Sequence, residues 1–431
     1  MYKERLLIIL ATIVIFLPLF ILYRKKYKFL FYIPLINCIV GIFNIYFYEY
    51  DYILSNIITT IILIFIIYIW MNEIKLNKIN IFIFLFFLYL LILFSNSSNI
   101  INSLRRFRHI FISMMMFPVS YVIIINIRHI KKVNNIMIIV LFLTIINILI
   151  GILFHIGRET YYGGTKELLT GNLIDSKLFP AALGIVLLPI IYPLENHGKK
   201  LFITILSIFA VILLAFTMRR TVFLIITVGY FIYFIYSKQK LKILLSTICI
   251  LIIIISLFPI YKNPLLTRFS IRADQGKFSR DFYYNEIRYV ESIYVLNKIF
   301  SFHDIKYSLF GKEVLNSEGN YCNGIYGERP LHLDFNVILN GSGILGLLIY
   351  ILIYYKIYRK FIFITTNLSK NGYIYSLKNM FISFFIISII VSILNGGIWS
   401  MPYRSVIFIY LGGILRILEE SNKNTKIYTN V

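Results

Sequence analysis

The chain has 431 residues, 59% of them hydrophobic and only 14% charged, and its 43 Lys and Arg against 19 Asp and Glu leave a net charge of +24. Soluble globular domains carry roughly 25% charged residues, so this composition excludes an ordinary water-soluble protein and reads as an all-α polytopic membrane protein. The basic residues sit in short clusters between apolar runs instead of forming one long patch, which sets nucleic-acid binding aside.

A spanning helix needs about 20 predominantly apolar residues. Thirteen runs qualify, at roughly 6–23, 29–48, 53–71, 79–95, 110–126, 135–155, 178–194, 201–217, 220–236, 241–259, 333–355, 376–395 and 402–418. The run at 178–194 is weakened by three prolines, so about 12–13 transmembrane helices are expected. The first run is followed by Arg24, Lys25 and Lys26 and not by a small-residue cleavage site, which predicts a retained helix. The parity of this first helix stays open. The expected organisation is membrane helices 1 to 10 with short loops over 1–259, and one large extracytoplasmic loop with an amphipathic helix over 260–331. C-terminal membrane helices over 332–418 and a cytoplasmic tail over 419–431 follow.

Cys38 and Cys249 lie in apolar runs and Cys322 in the long loop, so no disulfide framework is implied. The histidines are dispersed, with no HxxxH or HExxH spacing, and neither a metal nor a cofactor is expected.

Orientation follows from the basic residues. Placing the Arg24–Lys28 segment in the cytoplasm and alternating puts 22 basic residues inside, 10 in the long loop and 11 in the short outer segments. Separating the two cations sharpens this: the inward set is 18 Lys and 4 Arg, the outward set 8 Lys and 13 Arg. Inside, any positive charge serves topology; outside, guanidinium is selected, and its rigid fork matches phosphate. The outer arginines group as Arg105, Arg106 and Arg108; Arg219 and Arg220; Arg268, Arg272, Arg280 and Arg288; Arg329; and Arg404. This grouping predicts a site for a phosphorylated lipid on the outer face.

Residues 201–236 are almost unbroken apolar sequence interrupted by Thr217-Met218-Arg219-Arg220-Thr221. One helix of that length would run about 54 Å against a ~30 Å core. A hairpin with the arginine pair at its tip is therefore predicted. Farther on, Ser279 to Ile299 reads as an amphipathic helix with Ser279 as N-cap, in which Arg280, Tyr284 and Arg288 share one face. At the end of the long loop, His332, Asn336, Asn340 and Gly343 recur at helical spacing and predict a polar stripe facing the bundle.

These residues resemble the O-antigen ligase and polymerase superfamily, the Wzy-type integral membrane enzymes. His332, Phe335, Gly343 and Gly346 keep that family's spacing, although Leu333 replaces its Asn and Asn336 stands where an apolar residue is usual. The family's outer Ser-Arg pair is matched by Arg219-Arg220, and its arginine-bearing loop helix and glycine turn by Arg288 and Phe310-Gly311, with Glu313 in place of the second glycine. The resemblance covers roughly 200–420. It implies an inverting, metal-independent glycosyltransferase in the bacterial cytoplasmic membrane, polymerising undecaprenyl-diphosphate-linked oligosaccharide repeats into O-antigen or capsule on the outer face. Implied partners are that lipid-linked glycan, membrane lipid, and chain-length regulator and flippase proteins.

In this scheme Arg219, Arg220 and Arg288 clamp the diphosphate, with Arg280 behind them, and Arg105, Arg106, Arg329 and Asn336 are further substrate contacts. His332 is the general base or acceptor-orienting group, and Arg288 shares the catalytic site. Asp334, two residues on, is expected to face away. A ligase transferring finished glycan to another acceptor is the nearest alternative. A lipid-linked oligosaccharide flippase is the alternative from another class, disfavoured by the absence of a visible repeat and by functional-looking residues gathered at one face.

Overall fold

A computed structural model of the chain describes residues 27–43, 51–75, 77–154, 175–216, 220–237, 287–315, 331–366, 368, 372–398 and 400–429, with isolated positions between 240 and 270. No strand occurs among the described residues. In chain order the helices are α1 (Ile33–Phe43), α2 (Asp51–Glu73), α3 (Lys78–Leu93), α4 (Ile100–Ile123), α5 (Ile127–Phe154), α6 (Asp175–Ile191), α7 (His197–Phe216) and α8 (Arg220–Tyr236). They continue with α9 (Ile287–Phe300), α10 (Ile305–Phe310), α11 (Asp334–Thr365), α12 (Gly372–Leu394) and α13 (Met401–Thr429). Among the described residues six helices, α2, α3, α5, α11, α12 and α13, are long and apolar enough to cross a membrane. The protein is an all-α polytopic membrane protein.

Helices overrun the apolar runs that announce them. α4 starts at Ile100, so Arg105, Arg106 and Arg108 stand on a helix and not in a connecting segment. α5 takes in Arg128, Lys131 and Lys132, α11 continues to Thr365, and the expected tail after 418 is helical to Thr429. The cause is the backbone: inside hydrocarbon every amide must be bonded within its own segment, and the same ladder persists into polar surroundings where hydropathy no longer marks it. Residues 201–236 do form two helices, α7 and α8, with 217–219 between them outside the described residues. The run 6–23 and most of 241–259 also lie outside them.

The proline-bearing run forms a deeply enclosed helix among the described residues. From Leu178 to Leu188 α6 is buried on all sides despite Pro180, packed against α5, α8, α12 and α13. A helix apolar all round belongs in such a place. α13 lies along α4, and a Cβ on Gly412 would stand 2.2 Å from the Phe117 carbonyl oxygen, so the two backbones touch.

One break positions the site. Within α11, Gly343 has φ 63° and ψ −168°, a conformation essentially reserved for glycine. The chain leaving α10 crosses there: a Cβ on Gly343 would lie 2.3 Å from the Leu309 carbonyl, and one on Gly311 2.4 Å from the Ser342 nitrogen. Tyr89 of α3 donates its hydroxyl to the Ser342 carbonyl at 2.8 Å, occupying an acceptor near the break. The nine residues from Asp334 to Ser342 thus form a short separate helix seated on α9 and α10.

Candidate functional site

The site is built on α9, of which Ile287–Phe300 is described; the Ser279–Glu286 part of the expected amphipathic helix lies outside the described residues. Glu291, Val295 and Ile299, spaced by four, are each 0% exposed and turn one face of α9 into the bundle. Arg288 and Ser292 flank that stripe. A carboxylate on such a face must be satisfied by neighbours, because burying it unpaired is far too costly. Its partner is His332: the backbone N–H of His332 donates to Glu291 Oε2 at 3.1 Å, and the ring Nδ1 lies 3.0 Å from Oε1.

This pairing fixes the chemistry of the imidazole. An ionised carboxylate only accepts, so opposite ionised Glu291 the ring donates from Nδ1, and a neutral ring then has Nε2 as its acceptor. The His332 side chain is 36% exposed while Glu291 is 0% exposed, so the histidine is anchored on the buried side and open on the other. Orientation of a basic imidazole by a buried carboxylate is the arrangement general-base catalysis requires.

The surrounding contacts hold this pair in place. Asn336 donates to Ser292 Oγ at 2.9 Å, and Ser292 donates to the Arg288 carbonyl at 2.8 Å. Arg288 itself donates to Asn395 Oδ1. Asn395 and Gly396 belong to the turn between α12 and α13, and Gly396 (φ 72°) presses on His332: a Cβ there would lie 1.8 Å from the His332 carbonyl oxygen. Arg288, Glu291, His332 and Asn336 are therefore gathered from α9, the entry to α11 and the α12–α13 turn.

That turn is latched by a buried ion pair. Asp334 Oδ1 accepts from the backbone N–H groups of Gly397 at 2.6 Å and Ile398 at 2.7 Å, while Oδ2 pairs with Arg404. Arg404 also donates to the Tyr354 hydroxyl at 3.0 Å and to Ser388 at 2.9 Å, and to Ser392. Two expectations change here. Arg404, grouped with the outer phosphate-binding arginines, is 2% exposed and committed to Asp334. Asp334, expected only to face away, is 0% exposed and fastens the turn against which His332 rests.

The expected polar stripe is also redrawn. His332 precedes α11, whose N-cap is Leu333, so His332 does not share the helical face of Asn336 and Asn340. Its position is set by Glu291 and Gly396 instead. Asn336 and Asn340 are both buried, Asn340 accepting from the Tyr307 hydroxyl at 2.6 Å and, through its carbonyl, from the Lys312 N–H at 2.8 Å. Burial pushes the Tyr307 hydroxyl above its ordinary range, so it stays a donor. Glu313, where the resemblance expects a glycine, has φ 57° and places its buried carboxylate on the Ser98 N–H at 2.9 Å.

The remaining arginines divide. Arg106 donates to the Leu315 carbonyl at 3.0 Å, and Arg108 reaches Asn56 Oδ1. Arg105 is exposed on α4, and Arg220 is exposed at the first residue of α8, which packs on α6 and α12. Arg219, Arg280 and Arg329 lie outside the described residues. Among the described residues no three His, Cys, Asp or Glu side chains gather as a ligand set for a metal. Glu291 was missed in the sequence, although an acid heading the stripe Glu291-Val295-Ile299 is a readable signal: an ionisable group on an apolar helical face demands a partner. No protein-family model and no curated protein matches the chain.

Proposed function

We propose that the protein is a membrane glycosyltransferase that polymerises undecaprenyl-diphosphate-linked oligosaccharide repeats on the outer face of the bacterial cytoplasmic membrane. The observation that carries this reading is the His332–Glu291 pair, one turn of α9 away from Arg288. In the reaction, the acceptor sugar hydroxyl attacks the anomeric carbon of the donor glycan. The new C–O bond forms as the bond from that carbon to the diphosphate oxygen breaks, with inversion. His332 Nε2 takes the hydroxyl proton, and Glu291 balances the imidazolium that results. The diphosphate leaves with the bonding electron pair, and Arg288 stabilises the growing negative charge on it. Arg219, Arg220 and Arg280 complete the clamp in this scheme, and Asn336 supports Arg288 through Ser292.

Diphosphate is already a good leaving group, so alignment and charge stabilisation suffice. In this reading the site faces outward and the α11–α12 connection lies in the cytoplasm, an orientation supported by the outward bias toward arginine and the inward bias toward lysine. The test is surface polysaccharide in a deletion strain carrying His332→Ala or Arg288→Ala at normal expression. Single-repeat products are expected; full-length polymer from both variants would refute the assignment. Polymer retained on the carrier lipid would instead identify a ligase.

A further inference from the structure

Away from this site, α11 and α12 enclose a groove of about 680 Å3, with Tyr236 at the end of α8 contributing to it. Its floor is a row of stacked rings: Phe361 on Phe381 at 4.1 Å between centroids, then Phe385 and Tyr358. The lining runs from Thr365 back to Ile351 along α11 and from Tyr375 to Ile389 along α12. Fourteen residues of rise make this about 21 Å, longer than the ~15 Å of hydrocarbon in one leaflet.

The charged group, Lys378, lies at one end with Thr365, Tyr375 and Asn379, and the rest is aliphatic and aromatic, with the hydroxyls of Tyr354, Tyr355 and Tyr358 along it. Lys378 bridges the mouth by donating to the Thr365 carbonyl at 3.0 Å, so its ammonium is held there. The other basic residues of α11 in this stretch point elsewhere: Lys356 stands over the Phe82 ring of α3 and Lys360 pairs with Glu419 of α13, which leaves Lys378 as the cation of the groove among the described residues. A cation at the polar end of a groove between spanning helices is placed to meet an anionic lipid headgroup.

We infer that this groove is a binding site for an anionic glycerophospholipid, its phosphate on Lys378 and one acyl chain laid along the ring row toward Ile386. The length and the ring-lined apolar track argue for a lipid, and the lysine at one end for its negative charge. The inference does not depend on the glycosyltransferase reading.

The experiment uses the full-length protein in detergent, with native mass spectrometry and thermal unfolding after addition of dioleoylphosphatidylglycerol or dioleoylphosphatidylcholine. Wild type is expected to retain the anionic lipid at least tenfold more tightly and to unfold several degrees higher with it. Lys378→Gln should lose that preference, and Ile386→Trp, which fills the groove, should lose retention of both lipids. Lys378→Arg should keep the preference, which separates lost charge from damaged folding. Equal binding of both lipids, or unchanged retention in Ile386→Trp, overturns the inference. Displacement of phosphatidylglycerol by an equal concentration of undecaprenyl phosphate also overturns it, by assigning the groove to the isoprenoid carrier. So does an Ile386→Trp-sensitive dimer, by assigning it to a second copy of the chain.

Discussion

Removing the Asp334 carboxylate exposes what the buried latch contributes. In Asp334→Ala, Arg404 stays buried without its counterion, which costs about 3–5 kcal/mol. The Gly397 and Ile398 amides, now bonded at 2.6 and 2.7 Å, lose their acceptor at about 1–3 kcal/mol each. These terms overlap, so a loss of about 5 kcal/mol is expected, a large part of the roughly 5–15 kcal/mol that holds a typical protein folded. Asp334→Asn keeps an oxygen for the two amides and should lose only about 3 kcal/mol. Arg404→Met in the Asp334→Asn background should cost at least 2 kcal/mol less than the sum of the single changes, because it removes the orphaned charge. Thermal unfolding in detergent, followed by gel filtration of the surviving fraction, measures all four. Additive effects within about 1 kcal/mol, or equal losses for Asn and Ala, would show that the pair and its amide contacts do not form.

Glu291→Gln should preserve the fold and lower polymerisation about 10- to 150-fold, the equivalent of one charge-assisted hydrogen bond of ~1.5–3 kcal/mol; rates on purified lipid-linked repeats test this. Gly396→Ala should abolish activity at normal expression, since its methyl would meet the His332 carbonyl; surface polysaccharide measured beside membrane protein level decides it. Gly343→Ala should lower the unfolding temperature by the strain of a glycine-only conformation, about 1–3 kcal/mol or more, in a thermal scan. Arg288→Lys should retain only part of the activity of wild type, because a point charge cannot reproduce the fork on a diphosphate; titration with the lipid-linked donor reads this as a higher KM.

Hydropathy made the spanning helices legible because burial in lipid demands long apolar runs, as at 53–71 and 376–395, which became α2 and α12. It could not mark their ends, since Arg105 and Lys360 are helical without being apolar. His332 and Arg288 were legible as unusual polar residues near apolar helices. The partners of Glu291 and Arg404 were not, because they are set by tertiary contacts across 41 and 70 residues that no local spacing reveals. The run at 178–194 looked weak for the opposite reason: prolines lower helix propensity, but neighbours on all sides supply what propensity lacks.

The glycine break in α11 also orders how the molecule can be made. Ile344–Thr365 is long enough to enter the bilayer as it leaves the ribosome, but Asp334–Ser342, at about 13 Å and carrying an acid, is not. It can settle only after α9 and α10 exist to receive it and after α13 has delivered Arg404. The histidine just ahead of that segment is thus brought into register only once α13 is in place. A chain truncated before α13 would insert most of its helices and still hold no competent site.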